Sequence, residues 1–231
     1  GRDVAIKVLP QHLRENADAL ARFEREARTV SSLNHPHICT LHDVGREGDV
    51  EYLVMELVDG ETLAQRLVKG PVPVAEALKL GIQIADALDR AHRAGIVHRD
   101  FKPGNVMLTR SGAKLMDFGL ARATGVTGPG AGGGSTIPQL TQSPTVASPL
   151  TAEGAIVGTF LYMSPEQLEG RETDVRSDLW ALGCVLYEMV TGRRAFEGRT
   201  QASLSGAIMG TEPPAMSTLV PLAPPALEAL V

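Results

Sequence analysis

Aromatic side chains are scarce in this chain, at 4% of 231 residues, and cysteine occurs twice. With so few rings, packing falls to aliphatic residues; an apolar share of 43% is enough for one large domain or two small lobes. Cys39 and Cys184 lie far apart inside apolar stretches, which reads as two reduced core thiols and not as a disulfide framework. A basic excess is also missing. Twenty-two Lys and Arg against 27 Asp and Glu leave a net charge of −5, with no dominant Lys/Arg cluster, so nucleic acid is excluded as the main partner. No run reaches the ~18 apolar residues of a membrane span, and no signal-peptide pattern opens the chain. The expected location is cytoplasmic, with an anchor left to sequence beyond Val231. Charge vanishes altogether over residues 123–152, 30 positions rich in Gly, Ser, Thr and Pro. That composition cannot bury enough apolar surface to offset its ordering entropy, so disorder is expected there.

What is present centres on His98-Arg99-Asp100-Phe101-Lys102-Pro103-Gly104-Asn105. Pro and Gly make it a loop, between a helix-period segment over 75–93 and the apolar run Val106-Met107-Leu108. It concentrates a carboxylate, an amine and a carboxamide, groups that can meet a hydroxyl proton, a phosphoryl oxygen and a metal ion. Twelve residues past Asn105, Asp117-Phe118-Gly119 ends another apolar run.

Upstream, Val4-Ala5-Ile6-Lys7-Val8-Leu9 is a β-branched strand that sends Lys7 to the same side as Ala5. Residues 18–33 carry Leu20, Phe23, Ala27, Val30 and Leu33 at helical spacing, and Glu26 lies beside that stripe. A carboxylate so placed needs a cation: Lys7 is the candidate, with an exposed pairing to Arg22 as the alternative. Strands are expected over 38–44 and 52–55 with a turn at 45–49, then a short helix over 61–68. The helix from Ala75 is expected to bury Leu78, Ile82, Ala85 and Leu88. Downstream, Asp178-Leu179-Trp180 opens a strongly apolar helix to about Val190, closed by Gly192, and Pro225 to Val231 begins another.

Together, Val4-Ala5-Ile6-Lys7, Glu26, His98-Arg99-Asp100 with Lys102-Pro103 and Asn105, Asp117-Phe118-Gly119, and Ser164-Pro165-Glu166 resemble the motif set of the eukaryotic-type protein kinases. Lys102-Pro103 after Asp100 resembles the serine/threonine-specific form, and Ser164-Pro165-Glu166-Gln167 has the flavour of the bacterial members. The resemblance implies an α+β, two-lobed fold: a small partial antiparallel-sheet lobe with one helix over 1–58, and a larger, mainly α lobe over 59–231. An insert over 123–156 would lie in the activation segment. It further implies catalysis by Asp100, Lys102 and Asn105, and ATP bound by Lys7, Glu26, Met55, Glu56, Val58, Met107 and Asp117. Asn105 and Asp117 would be Mg²⁺ ligands. The partners implied are protein substrates with Ser or Thr hydroxyls, and a second kinase domain for autophosphorylation in trans. Ser148 or Thr151 would be the phosphosite, docked by Arg99. Asp178 would bond the backbone of the catalytic loop; it is also read as a first-turn carboxylate favoured by the helix dipole, and the two are compatible.

The pattern departs from the family at three points. No G-x-G-x-x-G loop precedes Val4, Ser164 stands where the family has Ala, and no Arg partner for Glu166 is legible. A three-stranded small sheet with an exposed edge is expected, and weak or no activity from these 231 residues alone. A scaffold without catalysis and a small-molecule phosphotransferase are the rival readings. The intact Lys7, Glu26, Asp100, Asn105 and Asp117 weigh against the first, and the stretch 158–166 weighs against the second.

Overall fold

A computed structural model of the chain describes residues 1–9, 17–118 and 160–231. The stretch 123–156, Ser148, Thr151 and Gly119 lie outside the described residues.

Strands β1 (Val4–Val8), β2 (Leu41–Glu47) and β3 (Val50–Glu56) form an antiparallel sheet in the order β1-β3-β2. The register pairs Ala5 with Met55 and Lys7 with Leu53, so the Ala5–Lys7 face is the one on which Leu53 and Met55 are buried. Ile6 and Val8 face the other way, at 62% and 57% exposure, on a strand that pairs only with β3 among the described residues. β2 runs three residues past its expected end. Gly45 does not break it, because Tyr52 lays its ring over the glycine where a Cβ would sit 2.4 Å from the ring carbon Cζ. The turn shrinks to Gly48-Asp49, with Gly48 at φ 58°.

Helix α1 (Ala17–Ser31) buries Phe23, Ala27 and Val30, with Leu33 just beyond it, which is the stripe its spacing predicts. The connection from α1 to β2 is anchored on the other lobe. The Cys39 N–H donates to the Leu115 carbonyl (2.8 Å), the Leu115 N–H to the His37 carbonyl (2.8 Å), and His35 Nε2 meets Asp86 Oδ2 at 3.0 Å.

Below the sheet, residues 61–68 split into β4 (Glu61–Thr62) and α2 (Leu63–Val68). Thr62 accepts from the Gln65 N–H, and Gln65 accepts from the Thr62 N–H, a capping box that starts the helix two residues later than expected. α3 (Val74–Arg93) bears out the expected stripe only at Leu88. It buries Ala77, Leu80, Gly81, Ile84, Ala87, Leu88 and Ala91, and leaves Leu78, Ala85 and Ile82 exposed, the last at 70%. The helix is apolar on two faces, and close packing chooses the one with small residues: a Cβ on Gly81 would come within 2.8 Å of Leu186 Cδ2. Strands β5 (Val106–Thr109) and β6 (Gly112–Leu115) form a hairpin that pairs with β4, a second sheet not expected from the sequence.

Past the undescribed segment come α4 (Pro165–Leu168), α5 (Val175–Thr191), α6 (Gln201–Gly210), α7 (Met216–Leu219) and α8 (Pro225–Glu228). α5 buries Ala181, Leu182, Val185, Leu186, Met189 and Val190, the interior helix that its composition calls for. The cysteines are buried and unpaired, and burial pushes both thiols up to about 12, so neither is a ready nucleophile. Leu222 and Leu230 stand exposed.

Gly192 ends α5 in the left-handed region (φ 68°) and lies against Pro71, where an added Cβ would sit 3.1 Å from Cδ. Gly192→Ala is therefore expected to destabilise by about 1–2 kcal/mol, read as a lower urea midpoint with unchanged slope.

Candidate active site

The loop after α3 is held from below by Asp178, in the first turn of α5 and 1% exposed. Its Oδ2 accepts from the His98 N–H (2.7 Å) and its Oδ1 from the Arg99 N–H (2.8 Å), while His92 Nε2 reaches Oδ2 at 2.7 Å. Both sequence readings of Asp178 hold at once: it bonds the catalytic loop and sits at a helix start. A buried carboxylate with three donors is satisfied, where an unpaired one would cost several kcal/mol. His98 is fully buried between Phe101 and Phe118, and its Nε2 donates to the Met116 carbonyl at 2.9 Å. It packs the core, and it also ties the loop to the residue before Asp117.

Among the described residues, two that are not glycine occupy the left-handed region, Arg99 (φ 65°) and Asp117 (φ 60°). Each costs on the order of 1 kcal/mol and persists because its surroundings over-determine it. The turn at Arg99 presents Asp100 to the open side. Lys102 Nζ sits 2.8 Å and 3.0 Å from the two Asp100 carboxylate oxygens. Asn105 Nδ2 donates to the Asp100 carbonyl (2.8 Å) and to its Oδ2 (3.2 Å). Pro103–Asn105 forms one 3₁₀ turn, which brings the carboxamide back over Asp100.

Across the cleft the structure corrects one expected contact. Lys7 does not pair with Glu26. Its Nζ lies 2.7 Å from Asp117 Oδ1, while Glu26 Oε1 faces the Arg99 guanidinium at 3.8 Å. The left-handed turn at Asp117 throws its carboxylate up toward β1, and Arg99 offers Glu26 a cation from the loop beneath. Lys7 thus pairs with Asp117, Glu26 reaches the loop at Arg99, and Asn105 bonds Asp100.

Met55 is buried at the end of β3, Val58 is half-buried, and Met107 lies on β5. The Glu56 side chain is structural: its Oε2 accepts from Lys114 Nζ (2.8 Å) and from the Thr40 N–H (3.2 Å), and its own N–H donates to the Thr40 carbonyl (2.9 Å). Sequence reasoning missed this ion pair between β3 and β6, which join distant stretches of chain. Glu166, which lacks a legible Arg, accepts from the Ser177 hydroxyl at 2.5 Å. Asp117 and Asn105 bring hard oxygen donors of the kind Mg²⁺ takes, and with Asn105 Nδ2 committed to Asp100, its Oδ1 is the free donor atom. Among the described residues no group of three or more His, Cys, Asp or Glu forms a metal cluster, so any ion held there would lean on other ligands.

Comparisons with known proteins identify the family. The model of the protein kinase domain matches residues 1–218, and the chain belongs to that family. A probable serine/threonine-protein kinase of Streptomyces coelicolor is 41% identical over 237 residues, covering 100% of this chain and 32% of the relative. The serine/threonine-protein kinase PknB of Mycobacterium leprae is 40% identical over 210 residues, 88% of this chain and 30% of the relative. The chain thus spans about a third of the length of the curated relatives it matches. Among solved structures, the Mycobacterium tuberculosis PknI kinase domain aligns with a TM-score of 0.66 at 27% identity, covering 98% of this chain and 75% of that one. Rad53 in complex with AMP-PNP aligns with a TM-score of 0.72 at 25% identity, covering 100% and 53%. The architecture is the two-lobed kinase fold, and the class is that of the serine/threonine-kinase catalytic domains. No helix among the described residues is long and apolar enough to cross a membrane.

The Glu56–Lys114 pair has a pH consequence. Burial raises the Glu56 carboxyl, but the bonds from Lys114 and Thr40 outweigh it and hold the group below its ordinary 4.5. A lowered folded value stabilises the fold above the unfolded value and loses that contribution as pH falls through the folded one. The stability gap between wild type and Glu56→Gln is expected to be constant above about pH 5 and to shrink below 4.5, measured by urea unfolding at each pH.

Proposed function

We propose that the chain is the catalytic part of a protein kinase that moves the γ-phosphoryl group of ATP to Ser and Thr hydroxyls of proteins, with residues 1–58 and 59–231 as its lobes. The observation that carries this reading is the Asp100 carboxylate braced between Lys102 and Asn105, together with the Lys7–Asp117 pair that joins β1 to the residue after Met116.

Phosphoryl transfer asks for in-line positioning and charge neutralisation and for little covalent work. Asp100 accepts the proton of the attacking hydroxyl as its oxygen bonds to the γ-phosphorus; the bond to the bridging oxygen breaks and ADP leaves. Lys102, a compact ammonium within reach of Asp100, offsets charge on the transferred group. Lys7 binds the α- and β-phosphates, for which its present bond to Asp117 must open. Asn105 and Asp117 are the residues that would hold Mg²⁺, which supplies charge neutralisation on the phosphates. The adenine edge meets the Glu56 carbonyl, whose N–H is already committed to Thr40, and the Val58 N–H, between Met55 and Met107. A second copy reaching the hydroxyls of 123–156, and a cytoplasmic location where ATP is available, belong to the same reading.

With the full-length protein, labelled ATP and a generic protein substrate, acid-stable label on Ser or Thr is expected. Chelation of divalent cations should abolish it, and Asp100→Asn should lower kcat by about 10²–10⁴-fold. Equal signal from Asp100→Asn, or label confined to small metabolites, would overturn the assignment.

A further inference from the structure

Arg99 holds its left-handed conformation with both of its backbone polar groups taken. Its N–H is bound by Asp178 from α5. Its carbonyl accepts from Gln167 Nε2 in α4 at 2.7 Å. The carbonyl oxygen of Arg99 belongs to the same peptide plane as the Asp100 N–H, so whatever fixes that oxygen fixes the direction in which the Asp100 Cα leaves the loop. The Asp100 N–H itself meets His98 Nδ1 at 3.4 Å, a long bond that cannot hold the plane alone.

The other end of the Gln167 carboxamide is also engaged. Its Oε1 accepts from the Ser164 N–H at 2.9 Å and lies 3.3 Å from the Ser164 hydroxyl. Ser164 is fully buried, so this hydroxyl has no water to turn to. Donors on Oε1 polarise the amide and strengthen the bond that Nε2 gives to Arg99. The serine at 164, where an alanine is expected from the resemblance, and the glutamine at 167 therefore read as one device. Two ends of one side chain join the last stretch before α4 to the peptide that precedes Asp100. The crevice beside them is lined by Arg99, Asp100, Lys102, Tyr162 and Met163, which places the device next to the proton-accepting carboxylate.

We infer that Gln167 is a positioning residue for Asp100: it fixes the peptide plane after Arg99 while Asp178 fixes the one before it, and it transmits the placement of Ser164 to the catalytic loop. The inference rests on the kinase reading for its effect on turnover, and on geometry alone for its effect on the loop. Asp178 supplies an acceptor and Gln167 a donor, so neither can replace the other.

The test uses the full-length protein. Gln167→Met keeps length and volume but removes the donor; kcat is expected to fall about tenfold, with KM for ATP within twofold and the melting temperature nearly unchanged. Gln167→Lys restores a donor to the Arg99 carbonyl without the acceptor, and should recover most of the lost kcat. Gln167→Glu sets a carboxylate against that carbonyl and should fall below Gln167→Met. Hydrogen exchange at the amides of residues 98–101 should speed up in Gln167→Met and be slowed again in Gln167→Lys. Unchanged kcat in Gln167→Met, a loss of kcat that follows melting temperature, or no difference between the Lys and Met variants would overturn the inference. If the wild type transfers no phosphoryl group to protein, the kinase reading fails, and the exchange rates still decide the clamp.

Discussion

One buried carboxylate governs the site. Asp178 sits where water does not reach, so its negative charge is tolerable only if donors surround it, and it finds them on two consecutive backbone N–H groups and on His92. Satisfying two adjacent N–H groups with one carboxylate bends the chain, and the bend appears as the left-handed Arg99. From that bend follow the outward aim of Asp100, the place of Lys102 beside it and the return of Asn105 over it. The interior helix α5 thus supplies both the core of the lower lobe and the anchor of the loop above it.

Charge pairing around the cleft is organised in a different way. Lys7 with Asp117 and Glu26 with Arg99 are partly exposed contacts, and each joins the upper lobe to the lower. Pairs of this kind are worth little individually and exchange partners at small cost, because water and salt screen them. The rigid part of the site is therefore the backbone clamp on the loop, while the ionic part can rearrange around phosphates. Glu56 with Lys114 is likewise partly exposed, though more enclosed than the surface pair of Lys69 with Glu61.

Much of this was legible in the chain. Motif residues lie in stretches with strong local character: a β-branched strand around Lys7, a Pro-Gly loop around Asp100, a helix stripe beside Glu26. Local rules read such stretches well. They failed where two surfaces competed. On α3 the apolar residues Leu78 and Ile82 face solvent, because only the face with Gly81 and Ala77 lets Leu186 approach. In β2 a glycine taken for a turn lies under Tyr52. Ser164-Pro165-Glu166-Gln167 was legible only as a family feature, and nothing local says that the amide of Gln167 continues to Arg99.

The sequence by itself determined which chemical groups exist, their order, and the family whose fold can gather them. Residue type and spacing are properties of the chain, and they act through short-range sterics and periodic burial. Tertiary structure alone decided who pairs with whom: Lys7 with Asp117 and not Glu26, Asp178 with His92, Gln167 with Arg99. Each of those contacts joins residues dozens of positions apart, and the choice among several donors of like charge depends on distances of an ångström or two, which only the packed lobes set.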